Sequence, residues 1–169
     1  MDKELSRILD ETIQLELNVA DLYLSFGQSF AEDKDFWLHL AVEERNHAAL
    51  LRSGKLESLN KGLFPEKVLT TNLDALIKVN KEIKALLKKH TQTPPSRASA
   101  FEIAVKVEES TGEIDFSCFM EQAAHSPALE LFSRVNSEDR DHALRLRNYM
   151  REKGIGIPGT LGEGQDNIG

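Results

Sequence analysis

The chain has 169 residues, a net charge of -7, and 29% charged and 40% hydrophobic residues. That length suffices for one domain with a real core, and the acidic balance argues against a nucleic-acid or anionic-membrane surface. A single cysteine, Cys118, excludes an internal disulfide and any four-cysteine metal module within the chain.

The start, Met1-Asp2-Lys3-Glu4, lacks the basic and apolar regions of a signal peptide, and nowhere do 18 apolar residues run together. A cytoplasmic protein with no membrane partner is the expectation. Five helical segments follow in order. The first is expected over about Asp2 to Phe30, with Asp2 as cap, the region of Gly27 loosening its end, and the stripe Leu5, Leu9, Thr12, Glu16, Val19, Tyr23, Phe26, Phe30. The second starts near Asp33 or Asp35 and carries Trp37, Leu40, Glu44, His47 and Leu51 on one face. Gly62, Phe64 and Pro65 break it. A third, from about Asn72 to His90, is amphipathic through Leu73, Leu76, Ile77, Ile83 and Leu87, and belongs to a crossover spanning 61–95. Thr93-Pro94-Pro95-Ser96 ends it, and Ser99 with Glu102 offers a capping box for the fourth helix. The stripe there reads Phe101, Val105, Glu109, Gly112, Phe116, Phe119. Ser126-Pro127 opens the last helix, with the stripe Phe132, Val135, Asp139, His142, Leu146, Tyr149. The expected helical body is 1–153. From Gly154 to the end, six glycines and a proline in 16 residues predict a flexible tail over 154–169.

Two of these helices repeat one another. Glu43-Glu44-Arg45-Asn46-His47-Ala48 aligns with Glu138-Asp139-Arg140-Asp141-His142-Ala143, and Leu51-Arg52 with Leu146-Arg147. Glu16 precedes Tyr23 by seven residues, as Glu109 precedes Phe116. The chain reads as a duplicated helical hairpin. At about 100° per residue, positions three apart sit roughly 60° apart on a helix, so each acid-histidine pair aims a carboxylate and an imidazole the same way. Glu16, Glu44, His47, Glu109, Asp139 and His142 all fall in otherwise apolar stripes. Buried acids are costly unless neutralised. Two divalent cations would cancel the four carboxylates and take the imidazoles as ligands. The neighbouring acids Glu43, Glu108 and Glu138 read as surface groups or as partners of ligands, and His39, His90 and His125 as solvated. Arg45 and Arg140 are candidates to anchor acids beside the site. Tyr23 and Phe116, each seven residues after a stripe carboxylate, read as core packing.

On these six residues in duplicated order, over roughly 3–152, the chain resembles the ferritin-like di-iron carboxylate proteins, rubrerythrin-type branch. The resemblance implies an all-α four-helix bundle with an extra helix in a long crossover. It implies Glu16 and Glu109 as terminal carboxylates, Glu44 and Asp139 as bridging ones, and His47 and His142 as one nitrogen ligand per metal. The implied cofactor is two iron ions, with manganese or zinc as alternatives. The implied activity is an oxidoreductase reacting with oxygen or peroxide, with Tyr23 on the oxygen-access side as the catalytic group, a hydrogen-bond donor or radical sink; metal handling with ferroxidase activity, and a non-catalytic metal-binding bundle, are the alternatives. The chain departs from the rubrerythrin pattern in three ways. It has no four-cysteine rubredoxin module, so an external electron donor such as rubredoxin is expected, alongside a homodimer. A further rubrerythrin Glu is replaced by Gly112, with Glu113 beside it as a possible substitute ligand. Asp139 stands where Glu is usual.

Overall fold

The computed structural model describes residues 3–61, 73–112 and 141–156. Nearly all of the described residues are helical, with no strand among them. Helix α1 (Lys3–Ser29) is followed by a 3-10 turn (Ala31–Asp33), α2 (Lys34–Lys61), α3 (Leu73–Gln92) and α4 (Arg97–Gly112). A fifth helix, α5, is described over 141–152. Expectations for Asp2, Glu113, Cys118, His125, Ser126-Pro127, Glu138, Asp139 and Arg140 lie outside the described residues.

Helices α1 and α2 form an antiparallel hairpin. Lys55 Nζ reaches Asp10 Oδ1 at 2.5 Å near one end, and Gly27 meets Trp37 at the other. Gly27 does not loosen α1, which continues to Ser29; a Cβ at that position would sit 3.2 Å from the Trp37 Cβ, so glycine permits the close approach of the two helices. The predicted stripes are the buried ones here. Val19, Tyr23 and Phe26 of α1 share one core with Trp37 and Leu40 of α2, and Leu9 and Leu51 on the same two helices are likewise buried. Four large aromatics, Tyr23, Phe26, Trp37 and Phe101, form the centre, with Trp37 and Phe101 ring centroids 4.4 Å apart. Removing side chains of this size from water contributes roughly 1.5–3 kcal/mol each.

Helix α3 packs on α1 through Leu76 and Ile83 and through a buried amide relay. Asn18 donates to Asn80 Oδ1 at 2.7 Å, and Asn80 donates in turn to the Glu11 carbonyl at 2.9 Å and its carboxylate at 2.8 Å. A sliding or rotated α3 would leave these groups unsatisfied, so the relay fixes its register. His90, expected in solvent, is instead buried at the end of α3, its ring 6.1 Å from that of Phe26.

The remaining helices are tied in at one end. Arg97 at the start of α4 donates two hydrogen bonds of 2.7 Å to Asp33, and Tyr149 of α5 donates to the same carboxylate at 3.0 Å. The cap of α4 is Ser96 rather than Ser99: the Ser99 amide donates to Ser96 Oγ at 3.2 Å. Helix α5 ends in a Schellman motif, with Gly154 at φ +62, Gly154 N donating to Arg151 O at 3.3 Å, and Ile155 N donating to Met150 O at 2.8 Å. Ile155 is buried, so the tail expected from Gly154 onward begins with a residue anchored in the core. Helix packing of this kind is compatible with the four-helix bundle expected from sequence. No helix among the described residues is long and apolar enough to cross a membrane.

Asp33 is 1% exposed and serves two donors from two other helices, so Asp33→Ala should destabilise the fold by about 3 kcal/mol, the low end for breaking a buried pair because Arg97 remains a third exposed. Urea denaturation followed by circular dichroism would measure it. A loss below about 0.5 kcal/mol, the size of an ordinary surface substitution, would show that the Asp33 junction is not a structural anchor.

Candidate metal centre

Helix α2 presents Glu44 and His47 one turn apart on its buried face, as the sequence spacing requires. Glu16 arrives from α1 and His142 from α5. The fourth contributor is Glu108 of α4, and here the sequence reading is corrected. Glu108 is 3% exposed and faces the cluster, whereas Glu109 is half exposed and ion-paired with Arg147. Counting from buried Phe101, seven residues bring the helix back to within about 20° of its starting direction and eight carry it about 80° past. Glu108 is the seventh. The stripe Phe101, Val105, Glu109 takes two successive steps of four and drifts off the core face; Phe101, Ala104, Val105, Glu108 stays on it.

The acids and imidazoles form two groups, Glu16–Glu44–His47 and Glu44–Glu108–His142, each with its candidate ligand atoms within 4.8 Å of one another and each fully buried. Glu44 belongs to both. Its Oε2 lies 3.4 Å from His47 Nδ1 and its Oε1 2.7 Å from His142 Nδ1. Glu16 Oε2 is 3.5 Å from His47 Nδ1, and Glu108 Oε1 is 3.7 Å from His142 Nδ1. The two imidazole rings stack nearly parallel, 5.4 Å between centroids and 14° between planes. Duplicated acid-histidine pairs thus bring their histidines face to face.

Glu44 Oε1 and His142 Nδ1 are buried 2.7 Å apart, a contact of charge-assisted hydrogen-bond length. Glu44 meets a different imidazole through each of its oxygens, and the carboxylate and imidazole atoms of each group lie close enough together for one cation to reach all three. The clusters therefore have the composition and burial to hold metal ions. Tyr23, fully buried, donates a short hydrogen bond from its hydroxyl to Glu108 Oε1. Phe116 lies outside the described residues, as do Asp139 and Glu113. With Glu108 in the cluster, the position three residues further is Thr111, not Gly112.

Protons hold the charges in balance. Burial alone would raise the Glu44 carboxyl, but the adjacent imidazoles outweigh it and hold Glu44 at about 2. Burial pushes Glu108 up, and the negative charge of Glu44 adds to the effect, bringing it to about 7. For His142, burial opposes protonation, yet Glu108 and Glu44 overcome it and raise the imidazole to about 10. Around neutral pH the site therefore pairs a charged Glu44 with a charged His142 and keeps Glu108 partly protonated.

A second layer surrounds His142. Its Nε2 lies 3.3 Å from Glu43 Oε2, and Arg145 grips both oxygens of Glu43 in a fork, one bond measuring 3.0 Å. Arg145, not Arg45, anchors the acid beside the site; Arg45 pairs with exposed Asp21 at 3.3 Å. The sequence signal for Arg145 was its position one turn beyond His142, on a side of the helix that no apolar stripe marks.

No protein-family model, curated protein or solved structure matches this chain. The site's meaning rests on its chemistry.

Placing Glu108 rather than Glu109 in the cluster has two measurable results. Glu108→Gln should abolish binding at the His142 side, while Glu109→Gln leaves binding unchanged, as read by metal titration. The unfolded chain releases the Glu108 proton near its ordinary value of 4.5 and the folded chain holds it up to about 7, so folding stability is lost across that window. The metal-free Glu108→Gln protein should consequently melt higher than the parent above pH 7 and show no such gain below pH 4.5. An equal effect at both pH values, or a loss of binding in Glu109→Gln, would contradict the assignment.

Proposed function

We propose that this chain is a ferritin-like di-metal carboxylate protein, with two iron ions as the favoured occupants, acting as an oxidoreductase on oxygen or peroxide. The observation that carries the reading is that Glu44 is shared by two buried acid-histidine groups. Its two oxygens face different imidazoles, as a bridge between two cations demands. One nitrogen and several carboxylate oxygens per ion suit iron, manganese or zinc better than a soft, thiolate-seeking metal. A pair of iron ions, when bound, supplies electrons for reducing oxygen or peroxide, and an outside donor of the rubredoxin class would restore them.

The protein's own residues supply the rest. Glu16 and Glu108 close the two ends of the site as terminal carboxylates, and Asp139, by its place in the duplicated motif, is the proposed second bridge. The Tyr23 hydroxyl holds Glu108 in place and carries a proton at the edge of the cluster. Burial of Glu44, His47, Glu108 and His142 themselves, none more than 3% exposed, excludes bulk water and so strengthens every charge interaction inside. A homodimer and a cytoplasmic location accompany this reading as proposals.

Metal uptake must displace protons. His142 binds a cation only after losing its Nδ1 proton, and Glu108 only as the carboxylate, so loading at pH 7 should release roughly one to two protons per chain and weaken as pH falls. Titrating ferrous or zinc ion in weakly buffered, oxygen-free solution would count them. No proton release on binding would contradict the ligand set. Function is tested by rapid mixing of the ferrous protein with oxygen and with peroxide. Oxidation of both irons faster than for free ferrous ion supports the oxidoreductase; an iron-loaded protein inert to both oxidants would overturn it in favour of a non-catalytic bundle, and mineral formation under excess iron would point to storage.

A further inference from the structure

Each nitrogen of His142 faces a carboxylate, but the two sides are not equivalent. Nδ1 faces Glu44 at 2.7 Å and Glu108 at 3.7 Å, inside the buried cluster. Nε2 faces Glu43 Oε2 at 3.3 Å. Glu43 sits on α2, one residue before Glu44 and about 100° around the helix, at the margin of the site where it is a third exposed. Both its oxygens are committed to the Arg145 fork, donated from α5 one turn beyond His142 itself. Asp141 Oδ2, 3.4 Å from Arg145 Nε, holds the guanidinium from its other side.

We propose that Glu43 and Arg145 are positioning residues that fix His142 in the tautomer with the proton on Nε2, so that Nδ1 is the atom offered to a cation. This rests on the metal-site reading above and adds to it the question of which nitrogen binds and what sets it. A carboxylate already neutralised by a bidentate arginine is a poor ligand for a cation but remains an acceptor for an N–H. The pair therefore marks the Nε2 side as the proton side and keeps the cation on the other. An imidazole whose second nitrogen is held by a carboxylate is a better-oriented and more basic ligand. Arg145 also limits the effect: by drawing charge from Glu43 it keeps that acid from competing for the ion.

The arrangement crosses between hairpins. Glu43 belongs to the first copy of the duplicated motif, and the histidine it faces belongs to the second. Docking of α5 on α2 and orientation of a ligand are consequently the same event: a shift of either helix breaks the fork and the Nε2 contact together. Sequence spacing hides this link, because Glu43 and His142 are 99 positions apart in the chain.

The test uses the full-length protein loaded with zinc, with 15N-labelled histidine. In the parent, long-range proton–nitrogen spectra should show His142 protonated on Nε2 and metal-bound through Nδ1. Glu43→Leu should lower affinity at the His142 side by roughly 10- to 100-fold and leave the His47 resonances and affinity unchanged; Glu43→Gln, which keeps an acceptor, should lose less. The double variant Glu43→Leu/Arg145→Met removes the orphaned guanidinium, so a folded sample is available if the single variant is unstable. If the parent binds two ions but Glu43→Leu and the double variant keep full affinity and the same His142 tautomer, the positioning role is wrong. If His142 binds through Nε2, it is also wrong. A parent that binds no metal would sink the metal-site reading itself, a distinct result.

Discussion

Glu44 is a carboxylate with essentially no solvent contact, set between two imidazoles. Water would stabilise that charge far better than a buried interior can, so the fold carries a desolvation cost that only positive partners offset. Much of the surrounding structure follows from meeting this demand. His47 comes from the same helix one turn away, His142 from a helix nearly a hundred residues later, and Glu16 and Glu108 balance the imidazoles in turn. Protons on His142 and Glu108 supply that balance, and a cation entering the cluster would have to displace them. Folding and ligand binding draw on the same set of charges.

The rigidity needed to hold such a site comes from elsewhere in the molecule. Asp33 joins the starts of α2 and α4 to the end of α5, while the Asn18–Asn80–Glu11 relay sets the position of α3 on α1. Both are polar networks with fixed donor and acceptor roles, and neither includes a residue of the acid-histidine cluster. Between them the aromatic layer of Tyr23, Phe26, Trp37 and Phe101 supplies apolar burial. Tyr23 belongs to both worlds: its ring packs 5.6 Å from Trp37, and its hydroxyl ends on Glu108.

Much of this was legible in the sequence where period and chemistry agreed. In α1 and α2 the steps alternate three and four, so Glu16, Glu44 and His47 could be placed on the buried face from spacing alone. The reading failed in α4, where aligning Glu109 with Glu16 through the aromatic seven residues later outweighed the helical phase that favours Glu108. Local repeats and helix phase are separate constraints, and packing obeys the phase. His90 was read as solvated because it lies off the stripes that carry the acids and the paired histidines; its packing against Phe26 accompanies its burial, and no short-range pattern carries that. Ile155 was lost in a glycine-rich composition, although Gly154 followed by an apolar residue is the signature of a Schellman end whose hydrophobic residue folds back. Glu43 and Arg145 were the least legible, since their partnership exists only once α5 lies on α2.

On the proposed reading, Glu44 joins two half-sites into one centre. Magnetic coupling would reveal the join: the protein is loaded with Mn2+ without oxygen and its electron paramagnetic resonance spectrum recorded. Two ions bridged by a carboxylate lie only about 3.5–4 Å apart and exchange-couple. The account predicts a coupled-pair spectrum at two equivalents of Mn2+ that collapses to that of isolated ions or disappears in Glu44→Ala. Two independent, uncoupled Mn2+ signals in the parent protein, unchanged in Glu44→Ala, would contradict it.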